Sequence, residues 1–269
     1  MDFSNIKLGG VSADDTTSSD NKRISLMIWG QAGCGKTTLA STAPGKICWL
    51  LFDPNGSDSL KQLKKYQDGD IAVFDMSKQN YSIVMQGCMD NCFGLETYLK
   101  DNTFDTVVFD SATTYLDMCL KLAVSTTKNA SVEVPTQAGY SRRNSYMKQT
   151  LNNLIRLTNK YNKHIVIIGH EDNGQMDDLG NLIKQTVMIG GSSNTAVCIM
   201  LSEIWYMNNT AGKRKIFFEP FGVKTPMKSR MIDTTKCRNI EWKFTPENGG
   251  EGIEDWFRRW CGSSTKITL

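Results

Sequence analysis

The stretch Ile24-Ser25-Leu26-Met27-Ile28-Trp29-Gly30-Gln31-Ala32-Gly33-Cys34-Gly35-Lys36-Thr37-Thr38 decides the fold of this chain. An apolar run leads into Gly30, and residues 30–37 match the spacing G-x-x-x-x-G-K-S/T. Glycines let the backbone of such a loop bend until its N–H groups point at phosphate oxygens, and the following helix adds its positive dipole end. The stretch therefore predicts a buried strand, a phosphate-binding loop and a helix. The other interpretation is a Gly-rich turn with a surface lysine.

The residues of this loop have different expected roles in binding a nucleoside triphosphate. Lys36 can reach the β- and γ-phosphates as a mobile positive charge. The hydroxyl of Thr37 can ligate Mg²⁺, which prefers oxygen ligands and usually stays bound to the nucleotide. We therefore expect ATP and Mg²⁺ as cofactors. The expected cofactor-binding residues are Gly30, Gln31, Ala32, Gly33, Cys34, Gly35, Lys36, Thr37 and Thr38.

Length and composition are those of one large α/β core with appendages. The chain has 269 residues, of which 40% are hydrophobic and 22% charged, with a net charge of +3. A chain of this size can bury most of its unfolded surface without disulfides, and so small a net charge neither requires nor excludes nucleic acid. We expect a flexible N-terminal arm in residues 1–21, an ATPase core in residues 22–245, and a C-terminal helix and tail in residues 246–269.

The eight cysteines are scattered along the chain, and several lie inside apolar runs. Residues 1–20 are polar and lack the apolar segment of a secretory signal, and no run approaches the about 18 apolar residues of a membrane helix. These features favour free thiols in the cytoplasm and no membrane partner. Cys88 and Cys92 have the spacing of half a metal site, but no second cysteine pair has ligand spacing. Buried thiols are therefore the favoured interpretation.

Five apolar runs predict the strands of a central sheet, since continuous runs are typical of parallel strands covered by helices on both faces. The runs are residues 24–29, 47–53, 106–111, 164–170 and 196–207. Shorter runs at residues 215–218 and 240–244 favour antiparallel edge strands, because the second alternates with period two. The pattern predicts an α/β fold with a mostly parallel central sheet flanked by helices, and with C-terminal antiparallel edge strands.

Polar side chains stand at the ends of three of these runs, namely Asp53, Asp110 and His170. Ligands of open α/β sheets bind at the carboxyl ends of the strands. Asp110 therefore fits a Walker B element that holds Mg²⁺ together with Thr37, directly or through water. Alternatively, Asp110 caps the helix that follows it.

The loop at residues 30–37, the strand end Phe109-Asp110-Ser111 and the run Ile167-Ile168-Gly169-His170 resemble the core of RecA-like P-loop ATPases. More closely, residues 22–245 resemble the small phage-encoded nucleotide-binding proteins of that group, which include the phage RecA-like single-strand annealing proteins. The resemblance implies a RecA-like P-loop NTPase core that works as a homo-oligomer, in a ring or a filament. It also implies the host cytoplasm as the location of a phage-encoded protein.

The resemblance further implies catalytic roles for residues outside the loop. His170 stands where the family has a polar γ-phosphate sensor, often Gln, and a neutral His can also donate a hydrogen bond; alternatively, it bonds to a loop. The family usually has a water-polarising Glu soon after the second strand, where this chain reads Asp53-Pro54-Asn55. If Asn55 takes that position, the usual base is missing, and Asp53 replaces it only if the strand end is shifted. We therefore expect slow hydrolysis that depends on DNA or on assembly.

Two further features follow from the same resemblance. Lys228-Ser229-Arg230 is similar to the Lys-x-Arg pair that reaches a neighbour's γ-phosphate in hexameric motors, and its alternative is an exposed basic strand. DNA-binding loops are implied at residues 124–144 and 171–190. Their candidate contacts are Lys128, Tyr140, Arg142, Arg143 and Lys184. Acidic residues in the second loop, which begins with Glu171 and Asp172, weaken its candidacy.

The leading interpretation is an ATP·Mg²⁺-binding RecA-like ATPase that acts with single-stranded DNA in phage-type recombination, annealing or replication. A single-strand-binding protein is a further expected partner. The alternative is a nucleotide-gated assembly protein with weak hydrolysis and no DNA role. A small-molecule kinase is less favoured because no Arg-rich lid is evident. A signalling GTPase is disfavoured because Thr158-Asn159-Lys160-Tyr161 lies in a predicted helix, and the glycine spacing excludes a dinucleotide oxidoreductase.

Overall fold

A computed structural model of the chain describes residues 7–8, 11–12, 22–54, 56–128, 131–245 and 249–269. The strands are β1 (Lys7–Leu8), β2 (Val11–Ser12), β3 (Ser25–Gly30), β4 (Ile47–Leu51), β5 (Ile71–Asp75), β6 (Thr106–Asp110), β7 (His164–His170), β8 (Gln175–Met176), β9 (Leu182–Lys184), β10 (Glu203–Thr210), β11 (Lys213–Phe217) and β12 (Asn239–Glu241). The helices are α1 (Lys36–Ala40), α2 (Ser57–Lys61), α3 (Lys64–Gln67), α4 (Tyr81–Asn91), α5 (Leu95–Lys100), α6 (Ala112–Ser125), α7 (Gln137–Lys160), α8 (Gly191–Met200) and α9 (Ile253–Cys261), with short 3-10 helices at Met76–Lys78 and Cys92–Gly94.

The central sheet has the strand order β12-β11-β10-β3-β7-β6-β4-β5. From β10 to β5 all neighbouring strands are parallel, whereas β11 and β12 are antiparallel to their neighbours. Strand β7 lies between β3 and β6, so the strands that end at Gly30, His170 and Asp110 are consecutive in the sheet. The predicted α/β class, the mostly parallel sheet and the antiparallel edge strands are confirmed.

Both faces of the sheet are covered, which explains why its central strands are apolar along their whole length. Leu26 and Ile28 of β3 pack on the face that also carries α1 and α9, called here the α1 face. Met27 and Trp29 point the other way and pack with residues of α4, α6, α7 and α8, on the α6 face. All six residues of β3 are buried. The strand that leads into the phosphate loop is thus held from both sides.

Two element predictions were wrong. Residues 196–207 are not one strand, because their first part ends α8 and the strand β10 begins at Glu203. An apolar run of this length does not by itself distinguish a helix from a strand. Residues 124–144 are not one long loop, since α7 begins at Gln137 and Thr136 caps it by accepting a hydrogen bond from the N–H of Gly139, 3.2 Å away.

The two ends of the chain are described to different extents. The arm expected at residues 1–21 lies outside the described residues, apart from the backbone pairing of β1 with β2. The expected C-terminal helix is present as α9, and its Ile253 and Trp256 are buried against the α1 face. Among the described residues, no helix is long and apolar enough to cross a membrane.

Candidate functional site

The phosphate loop joins β3 to α1 and depends on glycines at both of its ends. Gly35 has φ +104°, in the left-handed region that favours glycine. At Gly30 a Cβ atom would lie 1.9 Å from the backbone oxygen of Met207, because β10 packs directly against the start of the loop. The sequence motif and the neighbouring strand thus impose the same residue at this position.

Lys36, the first residue of α1, is buried with its ammonium group inside the loop. Its Nζ donates to the backbone oxygens of Gly30 (2.9 Å) and Gln31 (2.6 Å), and it lies 3.4 Å from Nδ1 of His170. Burial lowers the pKa of Lys36, and the charges of nearby acidic groups, among them Asp110, oppose that shift. The ammonium of Lys36 therefore contacts both the loop backbone and the end of β7.

Asp110 ends β6 as a buried carboxylate, 5% exposed. Burial raises its pKa to about 7 and the charge of Asp53 adds to this, while Lys36 and the Thr37 hydroxyl favour the ionised form. Asp110 does not cap α6. That role belongs to Ser111, whose Oγ accepts from the N–H of Thr114 at 3.2 Å. The Asp110–Ser111 peptide bond is cis.

The groups around Asp110 suit a magnesium ion. Asp110 and Thr37 offer oxygen ligands of the kind that Mg²⁺ prefers, and the carboxylate of Asp53 is close enough to act on Asp110. The buried indole N–H of Trp49 lies near Asp110 and favours the ionised form of that carboxyl, which lowers its pKa. These residues would hold the metal only together with nucleotide and water oxygens.

No group of three or more His, Cys, Asp or Glu side chains is arranged to hold a metal in the part of the chain that the structure describes. Cys88 and Cys92, whose spacing resembles that of half a metal site, are buried free thiols.

His170 lies at the carboxyl end of β7 beside the loop. Burial, together with the positive charge of Lys36, lowers the pKa of His170 and so favours the neutral ring. A neutral ring that accepts a hydrogen bond from Lys36 at Nδ1 carries its proton on Nε2, which leaves that atom as a donor. The backbone N–H of His170 is held separately by Oγ1 of Thr113, at 2.9 Å. The ring is therefore positioned by Lys36, and its Nε2–H can donate a hydrogen bond to a ligand.

Asp53 follows β4 and lies close to the same two strand ends, since its charge acts on the pKa of both Asp110 and His170. Asn55, the other candidate for the position of the catalytic base, lies outside the described residues. The structure thus brings Lys36, Asp53, Asp110 and His170 to one edge of the sheet.

Glu171 is a member of this neighbourhood that sequence reasoning missed. Its Oε2 accepts from Nζ of Lys224 (2.8 Å) and from the hydroxyl of Tyr206 (3.1 Å). The charge of Glu171 also acts on Lys36 and raises the pKa of that ammonium. The sequence showed Glu171 only as an acidic loop residue, because nothing in the pattern pairs it with Tyr206 on β10 or with Lys224.

The predicted finger residues are not on a regular strand. Lys228 forms an isolated bridge with Ile204, and its Nζ lies 3.5 Å from the backbone oxygen of Ile199. Arg230 is exposed. Between them, Ser229 is buried and donates to the carboxylate of Glu203, which also accepts from the backbone N–H of Arg230 at 2.8 Å. A buried carboxylate, rather than strand pairing, therefore fixes this segment.

The candidate DNA-contacting residues lie in three elements: helix α7, the hairpin of β8 and β9, and the segment between α6 and α7. Tyr140, Arg142 and Arg143 lie in the first turns of α7 and not in a loop, which corrects the expectation. Lys128 lies between α6 and α7, and Lys184 is an exposed residue of β9.

Three predicted residues from different parts of the chain surround one cavity. Its volume is about 620 Å³, and Arg143, Lys184 and Lys228 are among its lining residues. Its apolar wall includes Ile204 and Met227, which belong to the core of the α6 face. The cavity therefore lies on the opposite side of the sheet from α1 and is separate from the phosphate loop.

Known proteins are similar to this chain over most of its length. A family model described as an AAA domain matches residues 22–243, most of the chain. Among solved structures, a KaiC-like protein from the hyperthermophilic archaeon Pyrococcus horikoshii OT3 is similar over 72% of this chain and 77% of that chain, with 11% identity and a TM-score of 0.41. No curated protein matches the sequence.

Proposed function

Because the chain belongs to the AAA domain family, we propose that it binds ATP with Mg²⁺ and hydrolyses it at the edge of the sheet where β3, β4, β6 and β7 end. The observation that carries this proposal is the convergence of Lys36, Asp110 and His170 on one loop. Three polar or charged groups directed into a buried site are costly for folding alone, since each loses hydration. A triphosphate and its metal would use all three.

Each residue has a definite part in the proposed reaction. Lys36 exchanges the two loop carbonyls for phosphate oxygens, while Thr37 and Asp110 would hold Mg²⁺, which supplies charge neutralisation on the phosphates when bound. His170 donates from Nε2 to the γ-phosphate, and Asp53 orients the attacking water. Hydrolysis is slow without a stimulating partner, because Asp53 is a shorter base than the usual Glu.

The finer proposal is that the protein acts with single-stranded DNA as a homo-oligomer, ring or filament, in phage-type recombination, annealing or replication, with a single-strand-binding protein as a further partner. Support comes from the cavity edged by Arg143, Lys184 and Lys228, whose charges suit a phosphate backbone. Exposed Arg230 is available to a neighbour's nucleotide.

One experiment tests the class and the site together. ATP turnover is measured with and without single-stranded DNA, for the wild type and for Lys36→Ala. We expect DNA to stimulate turnover and Lys36→Ala to abolish it in both conditions. Fast turnover without DNA would contradict the expected dependence, and turnover that survives Lys36→Ala would contradict the site.

A second candidate function, nucleotide-gated assembly without DNA, is favoured by one observation. The hairpin of β8 and β9 exposes Met176, Leu179 and Ile183 at 53%, 88% and 49%, and clustered exposed apolar side chains are typical of protein contacts. Sedimentation with and without ATP distinguishes the two functions. ATP-dependent association that Leu179→Asp prevents, without DNA binding at moderate salt, would favour assembly.

A further inference from the structure

Arg214 reaches the phosphate loop from β11, at a distance in sequence that gave no reason to connect them. A Cβ atom built on Gly35 would lie 3.1 Å from Nε and 3.2 Å from Cδ of Arg214. The side chain therefore passes directly over Gly35, the residue before Lys36.

The guanidinium is held in place without being neutralised. Its Nη1 donates to the backbone oxygen of Phe244 at 3.3 Å, and the group lies 6.0 Å from the ring centroid of Trp242. The residues that the structure describes include no carboxylate ion-paired with Arg214. Arginine has five N–H donors in a fixed fork and keeps its charge in proteins, so donors remain after the one bond to Phe244.

The loop has a use for a second cation. A bound triphosphate would meet the carboxylates of Asp110 and Asp53 beside it, and Lys36 is the only other cationic side chain described as lying within the loop itself. Phosphoryl transfer is catalysed largely by positioning and by neutralising charge on the phosphate oxygens. A positive group fixed against Gly35 meets that need from within the same subunit.

We propose that Arg214 is a second phosphate-binding cation of the nucleotide site, acting in the same chain as Lys36. This inference rests on the proposed ATP binding. Arg214 binds the polyphosphate from the side of Gly35, whereas Lys36 binds it from inside the loop. The anchor at Phe244 fixes the guanidinium before nucleotide arrives, so little side-chain entropy is lost on binding.

The test compares Arg214→Met with Lys215→Met in the full chain. Methionine keeps the part of the side chain that packs on Gly35, which in Arg214 extends to Nε, and removes the guanidinium group with its charge. Lys215, the next residue of β11, is exposed, and its side chain points to the other face of the sheet, away from Gly35. Lys215→Met removes one positive charge, as Arg214→Met does, and is therefore the matched control. Affinities for ATP, ADP and AMP are measured by calorimetry. We expect Arg214→Met to weaken the affinity for ATP by about tenfold or more, the affinity for ADP by less, and the affinity for AMP least. Lys215→Met should change each affinity by less than about twofold.

The other outcomes have definite meanings. Equal affinities of the wild type and Arg214→Met would overturn the proposal. An equal loss of affinity for ATP, ADP and AMP would also overturn it, because a loss that does not depend on the number of phosphates would come from altered packing and not from the missing charge. If Arg214→Met lowers the ligand-free melting temperature, Arg214→Gln has to show the same graded loss. A wild type that binds no ATP would instead refute the proposed function itself.

Discussion

The ammonium of Lys36 lies 3.4 Å from Nδ1 of His170, which joins the phosphate loop after β3 to the end of the adjacent strand β7. This contact favours the tautomer that carries its proton on Nε2, because an ammonium can only donate to Nδ1. The contact therefore links the position of the Lys36 ammonium to that of the His170 ring.

Replacing His170 by Ala should lower ATP turnover about 100-fold, because a donor to the γ-phosphate is lost where charge develops in the reaction. The affinity for ATP should change less than about threefold, since the loop and Lys36 remain. Single-turnover rates and calorimetric affinities check the two quantities separately. Turnover equal to that of the wild type would mean that His170 has only a structural role at the end of β7.

Gly30→Ala should destabilise the fold by about 3 kcal/mol or more, because its Cβ would lie 1.9 Å from the backbone oxygen of Met207 and one strand would have to move. Gly69→Ala is the matched control. Gly69 also has a left-handed φ, +81°, but an added Cβ would meet nothing within 4 Å. Its cost should be only about 1 kcal/mol. Equal urea midpoints for the two variants would contradict the close approach of β10 to the loop.

Glu203→Gln should destabilise the protein by about 2 kcal/mol. The buried carboxylate accepts from Ser229, from Nε1 of Trp205 (3.0 Å) and from the backbone N–H groups of Arg230 (2.8 Å) and Met231 (2.9 Å), and an amide turns a donor toward some of them. Glu219→Gln is the control, because Glu219 pairs with Arg238 at the surface. Urea unfolding measures the stability of both variants. If Glu203→Gln loses no more stability than Glu219→Gln, Glu203 does not hold the segment at residues 229–231 in place.

His164 should make stability depend on pH. Burial lowers the pKa of His164 to about 4, and its Nδ1 accepts from the N–H of Ile24 at 3.1 Å. Since the unfolded chain binds the proton more readily than the folded one, this contribution is fully present above about pH 6.5 and is lost as pH falls toward 4.

The loss from His164 should reach about 3 kcal/mol. In His164→Asn the free energy of unfolding should fall less over that range, so that the curves of variant and wild type converge on acidification. Urea unfolding between pH 4 and 7 gives both curves, and parallel curves would contradict the prediction.

The sequence was sufficient for the strands whose burial is complete and for the loop between β3 and α1. Residues 164–170 were predicted as a strand and form β7, because a strand covered on both faces is apolar throughout. The same rule failed at residues 196–207, where an apolar helix end precedes an apolar strand. It failed again at Gln137, because the first turns of α7 are polar and resemble a loop.

By itself, then, the sequence determined the phosphate loop and the polar residues at the strand ends, since both are local patterns set by backbone bending and by strand burial. Only the tertiary structure decided which distant groups meet there. Arg214 on β11 and Glu171 beside Lys224 reach the loop because β10 and β7 flank β3 in the sheet. Strand order depends on how whole faces pack against one another, and a linear pattern of residues does not contain it.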